Sequence, residues 1–159
     1  MYAAAVTRQA VPLMEEEGSS VRVLGVDDSP IVRSVVLLAF AGTSTVEVHV
    51  EGDSELGLAE AVRADEAGER YACFVLDVDM PPFDGLELAA RLRAIPAYAE
   101  APIVFLSADQ RPALQSRIAR LGATLVEKTS LPTLRKSLLD VVQQAVAQSE
   151  VDSDFWTSS

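Results

Sequence analysis

The sequence predicts an α/β fold, a three-layer αβα sandwich built on one parallel sheet of five strands. Two observations support this prediction. Apolar strand-like segments alternate along the chain with segments of helical spacing, which makes five βα units. Strand segments such as Ile103–Leu106 are continuously apolar, as is typical of strands buried on both faces of a parallel sheet with helical crossovers.

The elements follow from this alternation and from local boundary signals. Ser29 and Pro30 supply a helix N-cap followed by proline at the first helical position, and Ser130 with Pro132 begins the last helix in a similar way. In that last helix Leu134, Leu138 and several later apolar residues recur at helical spacing, which predicts a face packed on the sheet. The predicted strands lie near residues 21–26, 46–50, 72–77, 102–107 and 123–127, and the predicted helices near 30–41, 54–66, 85–94, 111–121 and 132–148.

The length of 159 residues fits one domain with its own core. Residues 1–20 mix small, polar and acidic types without periodicity, so we expect a flexible leader there. The folded domain is predicted over 21–148, followed by an acidic tail over 149–159 that leaves no room for a second domain.

Charge and cysteine content narrow the classes of function. The formal net charge of −11 opposes binding to nucleic acid or to an anionic membrane and favours proteins or cations as partners. Cys73 is the single cysteine, which excludes an internal disulfide and a cysteine-based zinc site and fits a reducing cytoplasm. The longest apolar run, 35–41, is too short to span a bilayer, and no secretion signal begins the chain. We therefore expect a cytoplasmic protein.

Polar residues capable of chemistry stand where four of the predicted strands end. Asp27 and Asp28 follow the first strand, Asp77 ends the third, Ser107 ends the fourth, and Lys128 follows the fifth. Parallel strands end at one edge of the sheet, so these groups should converge there. Carboxylates in such a cluster repel one another unless a divalent cation such as Mg²⁺ lies between them.

Such a cluster suits phosphoryl transfer. Asp77 would act as nucleophile and acceptor, Ser107 would donate a hydrogen bond to one phosphoryl oxygen, and Lys128 would neutralise another.

Over residues 21–148 the chain resembles the receiver domains of two-component response regulators. Four motifs in order carry this resemblance: Asp27-Asp28, Asp77 through Met80-Pro81 to Asp84-Gly85, Ser107-Ala108, and Lys128. The resemblance implies a flavodoxin-like (βα)₅ fold and phosphorylation of Asp77 by a sensor histidine kinase or a histidine phosphotransfer protein. It also implies Mg²⁺ bound by Asp28, Asp77 and the backbone carbonyl of Asp79, with Asp27 acting largely through a bound water.

Four positions depart from the family pattern. Thr129 follows the lysine where proline is usual, which puts the placement of Lys128 in question. Leu125 stands where an aromatic ring commonly moves inward on phosphorylation, so signal propagation here would be muted or use another face. Asp79 and Asp109 occupy loop positions that tune hydrolysis of the acyl phosphate in the family.

The leading hypothesis is a stand-alone, non-enzymatic phosphorylation switch or relay, whose only chemistry is its own phosphorylation and dephosphorylation. It would act through protein contacts around the fourth helix, fifth strand and fifth helix, with a homodimer left open. An alternative, motivated by Leu125 and Thr129, is a degenerate receiver that only binds a partner. Another is a phosphohydrolase of the haloacid-dehalogenase type, suggested by Asp77-Val-Asp79 but opposed by the two βα units before it and the small size.

Several of these residues also have an ordinary structural interpretation. The acidic pair Asp27-Asp28 would also serve as a helix cap, and Lys128 as a solvated charge. His49 is assigned no role. Three arginines near the fourth helix are either a docking face or ordinary solvated surface: Arg111, Arg117 and Arg120. Phe155-Trp156 would either pack on the domain, cover a dimer surface or bind a partner.

Overall fold

The computed structural model describes the backbone of residues 20–157, and the side chains up to Ala147 apart from those of residues 131, 145 and 146. The predicted leader lies outside the described residues except for Ser20. Phe155 and Trp156 have no described side chains, so the three interpretations of that pair all stay open.

The described chain contains five strands and five α-helices in strict alternation, as the sequence predicts. The strands are β1 (Val21–Val26), β2 (Val46–Glu51), β3 (Cys73–Asp77), β4 (Ile103–Ser107) and β5 (Thr124–Glu127). The helices are α1 (Pro30–Ala39), α2 (Ser54–Glu66), α3 (Gly85–Arg93), α4 (Pro112–Arg120) and α5 (Leu131–Thr157).

Two features differ from the sequence prediction. A short 3₁₀-helix at Pro96–Tyr98 interrupts the α3–β4 connection, and it begins at a proline, whose fixed φ suits a first helical position. The sequence predicts that the last helix ends near residue 148, but its backbone stays helical as far as Thr157. Most of the predicted acidic tail is therefore helical in its backbone.

All strand pairs are parallel, and the sheet order is β2-β1-β3-β4-β5. Every residue of β3 and of β4 is buried, which explains why these strands read as continuous apolar runs. Alternate side chains of β3 enter different cores: Phe74 and Leu76 pack against α2, α3 and α4, whereas Cys73 and Val75 pack with α1 and α5. The predicted three-layer αβα sandwich is confirmed.

Helix α2 approaches the sheet closely at Gly57, a position that only glycine can occupy. A Cβ atom on Gly57 would lie 2.7 Å from Val26 Cγ2, which is well inside van der Waals contact. This approach brings the start of α2 beside the carboxyl end of β1, where the candidate site is found. None of the helices in the described part of the chain is long and apolar enough to cross a membrane.

Candidate functional site

The sheet order explains why residues distant in sequence meet. The central strand β3 pairs with β1 on one side and with β4 on the other, so Asp27 and Ser107 flank Asp77 at the carboxyl edge. Beyond β4, the register pairs Ser107 with Glu127, which places Lys128 one residue past the end of β5. The backbone N–H of Lys128 donates to the carbonyl of Ser107 at 3.0 Å and fixes that strand end.

Three carboxylates form the centre of this edge. Asp27, Asp28 and Asp77 each offer an oxygen, and these oxygens all lie within 4.8 Å of one another. Asp27 and Asp77 are 3% and 6% exposed, whereas Asp28 is open to solvent. Two buried negative charges and one exposed charge at this spacing repel strongly unless cations lie among them.

One oxygen of the cluster lacks a hydrogen bond. Asp27 Oδ1 accepts from the backbone N–H of Ser29 at 2.8 Å. Asp27 Oδ2 is buried and accepts no hydrogen bond from any described residue, although Lys128 Nζ lies 3.2 Å away as an ion-pair partner. A buried carboxylate oxygen without a donor, next to two more carboxylates, fits a divalent cation that takes oxygen ligands.

Lys128 is the cation that the chain itself supplies. Its Nζ lies 2.9 Å from Asp77 Oδ1 and donates a hydrogen bond to it. Burial alone would lower the pKa of Lys128, but the hydrogen bond to Asp77 and the charge of Asp27 outweigh burial and raise that pKa. The ammonium group therefore stays charged between the two buried carboxylates. Thr129 in place of proline does not prevent this placement.

The surroundings of Asp77 disfavour the negative charge of its carboxylate. Burial raises its pKa to about 6, and the nearby negative charge of Asp27 adds to the rise. The hydrogen bond from Lys128 opposes both effects. Near neutral pH the group is mostly an anion, which is the form that can act as a nucleophile.

Ser107 is buried at the end of β4, and its Oγ accepts from the backbone N–H of Asp109 at 2.9 Å. Its hydroxyl hydrogen is not used in that bond and is available for an incoming oxygen. The backbone carbonyl of Ser107 accepts from Lys128 and also from Gln110 Nε2 at 3.1 Å. Two hydrogen bonds to its carbonyl thus fix the strand end that carries the hydroxyl.

The loop from β3 to α3 closes tightly around the end of β3. The N–H of Gly85 donates to the carbonyl of Val78 at 2.7 Å. A Cβ on Gly85 would lie 1.9 Å from the backbone oxygen of Asp77, so only glycine fits there. Asp84 caps α3 by accepting from Glu87 N–H at 2.8 Å. Asp79, whose carbonyl the family resemblance implies as a metal ligand, is an exposed residue of this loop.

Other singled-out residues lie outside the cluster. The carboxylate of Asp109 is held by the guanidinium of Arg111 through bonds of 2.7 to 3.1 Å, which lower its pKa to about 2. Arg117 and Arg120 line an open groove between α3 and α4. Leu125 is half-buried against the core beneath α2, α3 and α4.

His49 lies on the edge strand β2 and contacts Glu51 at 2.6 Å. Glu60 is close to both, but its carboxylate already accepts from Arg63 at 2.8 Å and from Tyr71. The guanidinium of Arg63 lowers the pKa of Glu60 to about 2. The cluster of His49, Glu51 and Glu60 therefore has Arg63 as its compensating cation and needs no metal ion.

Sequence reasoning missed two residues that support the site. Arg33 on α1 donates from Nη1 to the backbone carbonyl of Asp27 at 2.7 Å. Ser54, at the start of α2, is fully buried and bonds to the β3–α3 loop. The spacing of Arg33 one helical turn after the Ser29 cap was a possible signal, whereas nothing in the sequence around Ser54 indicates its contact with residues 81–83.

Comparison with known proteins agrees with this geometry. Residues 23–138 match the family described as the response regulator receiver domain. A gliding motility regulatory protein of Myxococcus xanthus is 35% identical over 123 residues, which cover 76% of this chain and 15% of that protein. A protein-glutamate methylesterase/protein-glutamine glutaminase of Anaeromyxobacter dehalogenans is 35% identical over 134 residues, covering 80% of this chain and 36% of that protein.

Solved structures give the same fold. The chemotaxis protein CheY4 of Vibrio cholerae superposes with a TM-score of 0.66 at 30% identity, covering 77% of this chain and 99% of that one. The phosphorylated cyanobacterial phytochrome response regulator RcpA superposes with a TM-score of 0.72 at 18% identity, covering 82% and 96%, a likeness of fold alone.

The chain spans only 15% and 36% of the length of the two curated relatives named above, so their whole activities do not transfer to it. Family membership rests instead on the matched residues 23–138, on the flavodoxin-like order of the five parallel strands, and on the acidic cluster at their carboxyl ends. These findings favour the receiver hypothesis over the phosphohydrolase one. The chain belongs to the response regulator receiver domain family.

Proposed function

We propose that this chain is a single-domain response regulator that accepts a phosphoryl group on Asp77 from a sensor histidine kinase or a histidine phosphotransfer protein. The observation that carries the proposal is the ion pair of Lys128 with two buried carboxylates, Asp77 and Asp27, beside the exposed carboxylate of Asp28. The match to CheY4 covers 99% of that chain and 77% of this one, so the residues present here include a whole receiver domain.

The residues present fit a divalent cation, and Mg²⁺ is the ion we propose. Asp28, Asp77 and the backbone carbonyl of Asp79 would hold it, with Asp27 acting through water. When bound, it would offset the charge of the carboxylates and of the phosphoryl oxygens.

The transfer itself is a displacement at phosphorus. The Asp77 carboxylate oxygen forms a new P–O bond while the P–N bond to the donor imidazole breaks, and the departing imidazole takes a proton from solvent. Lys128 is positioned to follow one phosphoryl oxygen and Ser107 Oγ to donate to another. Neither side chain needs to change its protonation state during the step.

The product of this reaction is the phosphorylated chain itself, which acts as a signal, and no metabolite is released. Asp77 is consumed in each transfer until its acyl phosphate is hydrolysed, so the chain behaves as a phosphoryl acceptor. The methylesterase activity in the name of a longer relative does not transfer to this chain. We propose instead that phosphorylation changes contacts with a downstream protein through the α4, β5 and α5 surface.

A second candidate is a receiver that binds its partner without phosphorylation. It is favoured by Leu125, which packs against the core and offers no aromatic ring to report the state of the site. The distinction between the two candidates depends on whether Asp77 accepts phosphate.

Intact-mass analysis after incubation with acetyl phosphate and Mg²⁺ tests the proposal. The wild-type chain should gain one phosphoryl group, and Asp77→Asn should gain none. Asp140→Asn is the matched control, because that carboxylate pairs with Lys136 on an exposed surface of α5, away from the cluster. Absence of an adduct on the wild-type chain with every acyl or histidyl phosphodonor would reject phosphorylation and leave the binding module.

A further inference from the structure

We propose that Ser54 is a positioning residue for the metal and phosphoryl site, acting through the loop between β3 and α3. This inference rests on the proposed function. Ser54 is the first residue of α2, and its side chain is fully buried. A buried hydroxyl at that place needs partners, and both of its partners lie in the neighbouring loop.

The hydroxyl of Ser54 bridges two points of the loop. Oγ donates to the carbonyl of Pro81 at 3.1 Å and accepts from the N–H of Phe83 at 3.1 Å. The backbone N–H of Ser54 donates to the same Pro81 carbonyl at 3.1 Å. One residue of α2 therefore makes three hydrogen bonds to residues 81–83.

The hydroxyl is not needed by its own helix. Asp53 already caps α2, since its Oδ1 accepts from the N–H of Leu56 at 2.8 Å. A serine beside an established cap would ordinarily face solvent or bond within its own turn. Ser54 instead uses both its donor and its acceptor on the loop, which indicates a role in holding that loop.

Two sets of hydrogen bonds hold the loop on either side of Asp79, whose carbonyl is a proposed metal ligand. The bond from Gly85 N–H to Val78 oxygen closes the loop at its ends, and Ser54 fixes it at Pro81 and Phe83. Asp79 lies between these points, two residues after Asp77. The guanidinium carbon of Arg91 lies 4.0 Å from the centroid of the Phe83 ring, so this side chain also has a contact with α3. The placement of the Asp79 carbonyl is therefore set by the loop as a whole.

The chain offers a matched control at the other end of the molecule. Tyr98 is also fully buried, and its hydroxyl also donates to a carbonyl, that of Ala61 at 2.8 Å, and accepts an amide, that of Tyr71 at 3.4 Å. Tyr98 precedes β4 and so lies at the amino edge of the sheet, away from the carboxylates. Tyr98→Phe removes the same kind of buried bridge without touching the β3–α3 loop.

The experiment compares Ser54→Ala with Tyr98→Phe in the full chain, by amide hydrogen exchange and by Mg²⁺ titration monitored by NMR without any phosphodonor. Ser54→Ala should speed exchange at the Phe83 amide about 10-fold and weaken Mg²⁺ binding by about 10-fold, as loss of a supporting contact around a metal site commonly does. Tyr98→Phe should leave both quantities within about twofold of the wild-type values. Ser54→Cys, which keeps a weaker donor and acceptor, should fall between Ser54→Ala and the wild type.

Unchanged Mg²⁺ affinity in Ser54→Ala would overturn the proposal, and so would an equal loss in Tyr98→Phe. If Ser54→Ala did not fold, Ser54→Cys would take its place under the same criteria. Failure of the proposed function is a separate result, because it would appear as a wild-type chain that takes no phosphoryl group while the exchange and Mg²⁺ measurements still report on Ser54.

Discussion

Lys128 Nζ lies 2.9 Å from Asp77 Oδ1 and 3.2 Å from Asp27 Oδ2, so a single ammonium group serves two buried carboxylates. The two acids are 50 residues apart in sequence and are joined only because β1 and β3 are neighbours in the sheet. Removing the ammonium group would leave both buried carboxylates without compensation, whereas removing one of the two acids would leave Lys128 paired with the other.

Lys128→Met is expected to destabilise the chain by about 2–4 kcal/mol in Mg²⁺-free buffer, because two buried carboxylates would lose the ammonium group that they share. Added Mg²⁺ should recover more stability in the variant than in the wild type. Urea unfolding with and without Mg²⁺ measures both effects. Lys136→Met is the control, since Lys136 pairs with Asp140 at 3.6 Å on an exposed surface of α5. Equal effects of the two substitutions would contradict the arrangement.

The raised pKa of Asp77 predicts the direction of a pH effect. The folded-state pKa of Asp77 is about 6 and the ordinary pKa of an aspartate is 3.8, so the folded chain binds this proton more tightly than the unfolded chain. Without Mg²⁺, the Asp77 contribution to the free energy of unfolding should rise as the pH falls from above 6 toward 4. Asp77→Asn should remove that contribution and stabilise the chain by about 1–2 kcal/mol at pH 8.

Urea unfolding of wild type and Asp77→Asn at several pH values checks this prediction. The difference between the two proteins isolates Asp77 from the acids whose pKa is lowered, such as Glu60 and Asp109, which lose stabilisation at lower pH. A pH-independent difference between wild type and variant would show that the pKa of Asp77 is not raised by folding.

Gly85→Ala is expected to cost about 3 kcal/mol or to displace the β3–α3 loop, because its Cβ would lie 1.9 Å from the backbone oxygen of Asp77. Thermal unfolding and the rate of labelling by acetyl phosphate together distinguish these outcomes. Gly42→Ala is the matched control, since a Cβ there meets no atom within 4 Å and should change stability by less than about 0.5 kcal/mol. A wild-type-like Gly85→Ala would contradict the tight loop.

Arg93→Lys should lower the free energy of unfolding by about 2 kcal/mol without altering phosphorylation. The half-buried guanidinium donates to the carbonyls of Leu121 at 3.2 Å, Tyr98 at 3.1 Å and Ala101, and burial lowers its pKa. An ammonium group cannot span these acceptors in the same geometry. Arg120→Lys, at an exposed position of α4, is the control for charge-conserving substitution. Urea unfolding and mass labelling of both variants provide the test.

The sequence by itself determined the layers and the edge at which polar groups gather. Apolar runs such as Ile103–Leu106 report burial of a strand on both faces, and a carboxylate or serine directly after such a run must emerge at the carboxyl end of a strand. The predicted candidates Asp27, Asp77 and Lys128 meet because all parallel strands end at the same edge.

Only the tertiary structure decided how each polar atom is used. Asp109 and Asp77 are both acids at strand ends or just beyond them, yet Arg111 pairs with the first and Lys128 with the second. Sequence spacing also contains no signal for the bonds from Ser54 to residues 81–83, because they join separate elements. Periodicity reports burial, which is an average property of a face. Hydrogen bonding depends on distances of about 3 Å between atoms, and those distances are set only when the helices have packed on the sheet.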